Sequence, residues 1–284
     1  MSARRRIVRW IVVTPITLVG ALLLWAVLDA FEGASARTVW NHTWQSDSGR
    51  QLGGYLVTPE QARRLQPGPA TGTRVAAPAS GNDRLPAVLL IHEWWGLNRE
   101  TVYMAEQLAL DGYVVLAPDA YRGGLAVSVP GALLQNAVRS QRRITEDIDA
   151  AYDVLSSLPL VDPNRIAVVG FCFGGTQAML HGARSRDARA IGIYYGSDPI
   201  VDRDAIGHLS GGRLLLGIYG GSDNLIPSED VATFERLLQE SGARADIQLV
   251  PDYGHAFVNP QSIAQDPVAA DAWDRMRRFL SDSL

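Results

Sequence analysis

The chain has 284 residues with 26 basic and 30 acidic side chains, 47% hydrophobic residues and a single cysteine. All the basic residues are arginines, which excludes Schiff-base chemistry and a phosphate-loop lysine; one cysteine excludes intrachain disulfides and cysteine-rich zinc sites. The length allows one large domain or two small ones with ample core, and the composition argues against wholesale disorder.

Arg4, Arg5, Arg6 and Arg9 precede an uncharged run from Trp10 to Leu28, which Asp29 closes. As a helix this run would span ~28 Å, close to the ~30 Å thickness of a bilayer's hydrocarbon. The expectation is therefore a transmembrane signal-anchor at about 10–28, an arginine-rich cytoplasmic tip before it, and an exported remainder. Ala34-Ser35-Ala36 has the small-x-small pattern of a cleavage site, so a secreted or periplasmic form after cleavage is the alternative; a buried soluble helix is the third reading. Every one of these sets residues 1–36 apart from a catalytic domain at 37–284. Beyond Leu28, 22 arginines face 30 carboxylates, and that net acidity disfavours nucleic acid as a partner.

A strand is expected at 51–57. Thr58-Pro59-Glu60-Gln61 then reads as a helix start, with Thr58 as N-cap and Gln61 closing a capping box. Residues 66–86, rich in Pro, Gly, Ala and Ser, read as a surface excursion. From Ala87 onward, apolar runs at 87–91, 113–117, 166–169, 190–195, 214–219 and 246–250 read as strands whose lack of alternation fits a sheet covered on both faces. Between them run helical stripes: Val102, Ala105 and Leu108; Ile144, Ile148, Ala151, Leu155 and Leu158; Val231, Phe234 and Leu238. A last helix starts near Asp266-Pro267, with Trp273, Met276 and Leu280 inward. This alternation predicts an α/β fold, a mostly parallel sheet with helices on both faces, whose ligands bind at the carboxyl ends of the strands.

Gly170-Phe171-Cys172-Phe173-Gly174-Gly175 lies where a buried strand runs into a helix. It has the form of a nucleophile elbow with cysteine as the nucleophile, and the helix N-terminus aimed at Cys172 favours a thiolate and later an oxyanion. A free cysteine elsewhere is more often a small buried hydrophobe. An elbow nucleophile predicts an acid and then a histidine further along, both after strands. Asp223, in Gly221-Ser222-Asp223, and His255, in Pro251-Asp252-Tyr253-Gly254-His255, have that order and place. Cys172 would attack an acyl carbon, His255 move protons and Asp223 fix the imidazole tautomer. Asp198 and Asp252 are weaker candidates for the acid, and a turn aspartate commonly bonds only local backbone. His42 lies too early, His181 behind the elbow and His208 in a polar loop, while His92, at a strand end, stays open.

Glu93, from the segment after residues 87–91, would project toward the same crevice and raise the thiol's pKa. A hydrogen bond from Cys172 to Glu93 would hold the thiol protonated until substrate displaces the carboxylate. The backbone N–H groups of Trp94 and Phe173 are the natural oxyanion hole. Trp94 and Trp95 line the crevice or simply cover hydrophobic surface.

These segments resemble the dienelactone hydrolase family of α/β-hydrolases. The carrying residues are His92-Glu93-Trp94-Trp95-Gly96-Leu97-Asn98, Ala117-Pro118-Asp119-Ala120-Tyr121-Arg122, the Cys172 elbow, Gly221-Ser222-Asp223-Asn224-Leu225-Ile226-Pro227 and Gly254-His255-Ala256-Phe257. The match runs from about Gly53 to the C-terminus, with an insertion at about 59–86. The resemblance implies an α/β-hydrolase fold behind the one membrane helix. It also implies a Cys-His-Asp triad acting on a small lactone or ester without metal or cofactor, and a glutamate, here Glu93, that hydrogen-bonds the resting thiol. Tyr121 and Asn259 fall at substrate-lining positions, but the family's arginine stands where this chain has Asn259, and its founding members lack the membrane signal. A thioesterase or broad carboxylesterase remains open beside the lactone hydrolase, as does a non-catalytic membrane-tethered binding module. Oligomeric state is not readable.

Overall fold

A computed structural model describes residues 20–21, 24, 35–46, 48–66, 84–185, 187–199 and 202–284. The expected membrane anchor and the interior of the 59–86 insertion fall almost wholly outside them. Among the described residues no helix is long and apolar enough to cross a membrane.

The core is one eight-stranded sheet, ordered β1-β2-β4-β3-β5-β6-β7-β8. The strands are β1 (His42–Gln45), β2 (Gln51–Val57), β3 (Leu85–Ile91), β4 (Val114–Pro118), β5 (Val161–Phe171), β6 (Ala190–Tyr194), β7 (Leu214–Gly220) and β8 (Arg244–Val250). β1 and β2 pair antiparallel, as do β2 and β4; from β4 to β8 all pairs are parallel. The helices are α1 (Pro59–Leu65), α2 (Arg99–Leu110), α3 (Val129–Ala137), α4 (Gln141–Ser157), α5 (Phe173–Arg184), α6 (Arg203–Ser210), α7 (Ser228–Glu240), α8 (Pro260–Gln265) and α9 (Pro267–Ser283). α1, α2, α8 and α9 pack in one layer, and α4, α5, α6 and α7 pack in the other. This is the α/β-hydrolase layout.

Burial explains why the strands are readable. Residues 87–91, 114–117 and 166–169 are fully buried, because both faces of the parallel sheet are covered by helices. The two edge strands instead alternate, β1 as His-Thr-Trp-Gln with every second residue exposed. The apolar stripes face inward as expected: Ile144, Ile148, Ala151 and Leu155 on α4, Val231, Phe234 and Leu238 on α7, Trp273, Met276 and Leu280 on α9. The capping box at Thr58 and Gln61 is present with both hydrogen bonds.

Several local expectations are corrected. β3 starts at Leu85, so residues 85 and 86 belong to the sheet, and α1 occupies the first part of the expected insertion, burying Pro59 and Ala62. His208 lies on α6, capped by Asp202, rather than in a loop. β1, α3 and α8 are additional elements.

The loop after β4 is tied to α4 by Arg122, whose Nε and Nη2 donate to the two Asp147 oxygens at 2.6 and 2.7 Å. Asp147 is nearly buried, so removing the arginine alone leaves a charge without compensation. Arg122→Ala is expected to lower stability by about 3 kcal/mol, measured as a shift of the urea midpoint. The double replacement Arg122→Met with Asp147→Leu is expected to recover at least half of that loss.

Candidate active site

Five loops converge at the carboxyl ends of the parallel strands. β5 ends at Phe171, and Cys172 then adopts φ 52°, ψ −115° as the N-cap of α5. That left-handed conformation is strained for a residue with a side chain and turns the sulfur out of the sheet. It requires backbone contacts that admit no neighbouring side chain. A Cβ at Gly170 would lie 2.0 Å from the Gly174 carbonyl oxygen, and one at Gly174 would lie 2.2 Å from the Ile91 carbonyl oxygen.

The sulfur so placed lies 2.9 Å from His255 Nε2, and His255 Nδ1 lies 2.7 Å from Asp223 Oδ2. Asp223 follows β7 and His255 follows β8. The other Asp223 oxygen accepts from the backbone N–H groups of Leu225 at 2.8 Å and Ile226 at 3.2 Å. A carboxylate so engaged requires its imidazole proton on Nδ1, which leaves Nε2 free to accept the thiol proton. Asp198 and Asp252, both exposed, take no part.

The backbone N–H groups of Phe173 and Trp94 both donate to the Cys172 sulfur. An oxygen on a carbon bonded to that sulfur would fall within their reach. Desolvation pushes the thiol up to about 12, with the Glu93 charge adding to it and the two N–H donors opposing. The resting site thus holds a neutral thiol.

Glu93 is placed differently from the sequence expectation. Its carboxyl group bonds the Tyr195 hydroxyl, while the thiol faces His255. The cause is the elbow itself, which aims the sulfur at the imidazole and the N–H pair. The same hydroxyl also reaches the Val258 carbonyl at 2.9 Å. The Tyr195 bond favours the charged carboxylate and opposes the upward push of burial on Glu93. Burial pushes Glu93 up to about 7, consistent with a group protonated part of the time near neutrality. Tyr195, left-handed at φ 38° just past β6, is the site residue that sequence reasoning missed.

His92 is settled by its bonds. The Ala120 N–H donates to Nε2 at 3.2 Å, so the ring proton sits on Nδ1 and is donated to the Glu93 carbonyl at 2.6 Å. Burial pushes it down to about 4, and it is a neutral structural ring. Tyr121 is buried, its hydroxyl on Asn136 at 3.1 Å and its ring against Phe173, so it backs the elbow rather than lining the crevice. Asn259 is likewise occupied: its side chain caps α8 by accepting from Ser262 N–H. Trp95 is half-buried with its ring edge-on to Trp94 at 5.2 Å. Among the described residues no three His, Cys, Asp or Glu side chains cluster as metal ligands.

Residues 72–284 match the sequence profile of the dienelactone hydrolase family. The chain belongs to that family. It is 28% identical over 225 residues to an Escherichia coli protein provisionally named carboxymethylenebutenolidase, covering 71% of this chain and 78% of that one. A Yersinia pestis protein of the same provisional name is 30% identical over 224 residues, covering 71% and 80%. In three dimensions the chain is similar to a crystal structure provisionally named a dienelactone hydrolase from Klebsiella pneumoniae, with a TM-score of 0.66 and 22% identity over 85% of this chain and 99% of that one. Dienelactone hydrolases act on ester bonds, and this family member is a hydrolase of that class.

Because Glu93 raises the thiol's pKa, Glu93→Gln is expected to lower it and to speed alkylation of Cys172 by iodoacetamide several-fold near pH 8. In the parent chain the alkylation rate is expected to keep rising with pH beyond pH 10, since a raised pKa delays the plateau.

Proposed function

We propose that the protein opens a small lactone or cleaves a carboxylic ester through an acyl-enzyme on Cys172. The observation that carries this reading is the 2.9 Å approach of the sulfur to His255 Nε2, with two N–H donors aimed at the same sulfur. In the reaction, Sγ attacks the acyl carbon while Nε2 takes the thiol proton. The carbonyl electron pair moves to oxygen, where the Trp94 and Phe173 N–H groups hold it. Collapse of the adduct breaks the acyl C–O bond, and the leaving oxygen takes the proton from His255. Water then attacks the thioester with His255 as base, and the sulfur departs and regains its proton. Asp223 holds the imidazole tautomer and steadies its protonated form. Glu93 is the thiol modulator, acting through its charge: it keeps the resting sulfur protonated and poorly reactive toward stray electrophiles.

The relatives' name points to a carboxymethylene butenolide, a lactone bearing a carboxylate. With Asn259 engaged as a helix cap and no guanidinium at that position, an uncharged lactone or ester fits the crevice better. A thioester would pass through the same acyl-enzyme. The run from Trp10 to Leu28 supports a membrane anchor, with residues 1–9 cytoplasmic and residues 37–284 as the exported hydrolase domain.

The test is hydrolysis of p-nitrophenyl acetate by the full chain in detergent. Cys172→Ala and His255→Ala are each expected to lower kcat/KM by on the order of 10³-fold or more with unchanged circular dichroism. Cys172→Ser is expected to lose nearly as much, because a hydroxyl has a much higher pKa. Equal hydrolysis by parent and variants would point instead to a tethered binding module.

A further inference from the structure

Between Arg122 and Arg139 the chain carries no charge: GGLAVSVPGALLQNAV. Within it, α3 is fixed over the site by Gln135, whose Nε2 donates to the Trp94 and Trp95 carbonyls at 3.3 Å each. A helix packed on a core turns its large apolar side chains inward. Here Gly131 and Ala132 face inward, while Val129, Leu133 and the following Val138 are 51%, 56% and 68% exposed. Leu225, two residues beyond Asp223, is 66% exposed on the same edge of the sheet. Large apolar side chains exposed along the rim of a site, here on either side of the crevice, mark an interaction surface. Arg50, Arg139 and Arg143, together with the paired Arg122 and Asp147, border a cavity of about 280 Å³ beside it, which leaves this wall net basic. An apolar face flanked by arginines is the make-up of a helix that lies in a bilayer interface.

The path of the chain says what covers this face. Ser35 Oγ and the Ala36 N–H both donate to the Gly123 carbonyl at 3.2 Å, and Trp40 Nε1 donates to Asp119 at 3.0 Å. Both partners lie on the loop that leads from β4 into α3. The polypeptide therefore enters the domain at the catalytic edge. The apolar run ends at Leu28, and the segment from there to Ser35 reaches at most about 25 Å when fully extended. With that run in a bilayer, the edge carrying Cys172 is held at the membrane.

We propose that α3 and Leu225 rest on the bilayer surface and present Cys172 to esters dissolved in the lipid. The substrate class is then a lipophilic ester or lactone reaching the thiol from the membrane phase. This substrate assignment rests on the thiol-hydrolase reading above; the membrane contact does not.

The experiment uses the full chain reconstituted in vesicles of phosphatidylcholine and phosphatidylglycerol. In a Cys172→Ala background, Leu133→Cys and Leu65→Cys each carry a nitrobenzoxadiazole label; Leu65 is 56% exposed on α1, which starts where β2 ends beside the amino end of β4. The label at 133 is expected to be quenched by acyl-chain nitroxides and shielded from iodide, and the label at 65 to show the reverse. Equal iodide quenching at both positions, or a label at 133 shielded by a second copy before any lipid is added, would overturn the proposal. With Cys172 retained, the Leu133→Ser and Val129→Ser pair is expected to lose about fivefold or more in hydrolysis of a long-chain ester carried in the vesicles. Soluble acetate should be hydrolysed as before, and an equal loss on both esters contradicts the lipid route. A parent chain inactive on acetate would sink the hydrolase reading and its substrate assignment, while leaving the quenching result to stand or fall alone.

Discussion

The passage of α5 beneath the end of β3 leaves no volume for a side chain at positions 170 and 174, and the rest of the site depends on that contact. With backbone against backbone, the turn between β5 and α5 has to be completed in one residue, and Cys172 takes the left-handed conformation that does so. The strain at this residue is held by the sheet on one side and the helix on the other. Its consequence is positional: the sulfur stands above the strand ends, where the loops after β3, β7 and β8 supply the N–H of Trp94, the Asp223 carboxylate and the His255 imidazole. No flexible side chain has to search for this arrangement, because each group is fixed by a strand end or a turn.

Electrostatics complements the geometry. The crevice contains a thiol, two carboxyl groups and two histidines, and burial pushes three of these groups toward their neutral forms. His92 is driven down to about 4, Glu93 up to about 7 and the thiol up to about 12. Asp223, held by two backbone N–H groups, is the carboxylate matched to the imidazole.

What the sequence disclosed follows from how local each signal is. The Thr58 capping box involves four consecutive residues and was readable outright. β3 to β7 were readable because both faces are apolar, and β8 from its short apolar run, with ends misplaced by only a few residues except at β5, whose polar first half, Asp162 to Arg165, hid its start. Three glycines in the elbow and the order of cysteine, aspartate and histidine carried the site. β1 was not legible because four half-exposed residues form no apolar run, and α6 carries Gly207 in its interior. Asn259-Pro260 is an N-cap and first-turn pair legible in the sequence, and that cap is what engages the Asn259 side chain. The Glu93 contact lay beyond reach for a different reason: its partner Tyr195 belongs to another strand end, and only the sheet order brings the two together.

The central claim is that Cys172 carries the acyl group. Acid quench of the full chain within the first turnover of a slowly hydrolysed ester, such as p-nitrophenyl pivalate, followed by intact-protein and peptide mass spectrometry, reads this directly. The account predicts a pivaloyl adduct on the peptide containing Cys172 that appears with the first equivalent of nitrophenol and then decays. A burst of nitrophenol with Cys172 unmodified, or the adduct on any other residue, would contradict it.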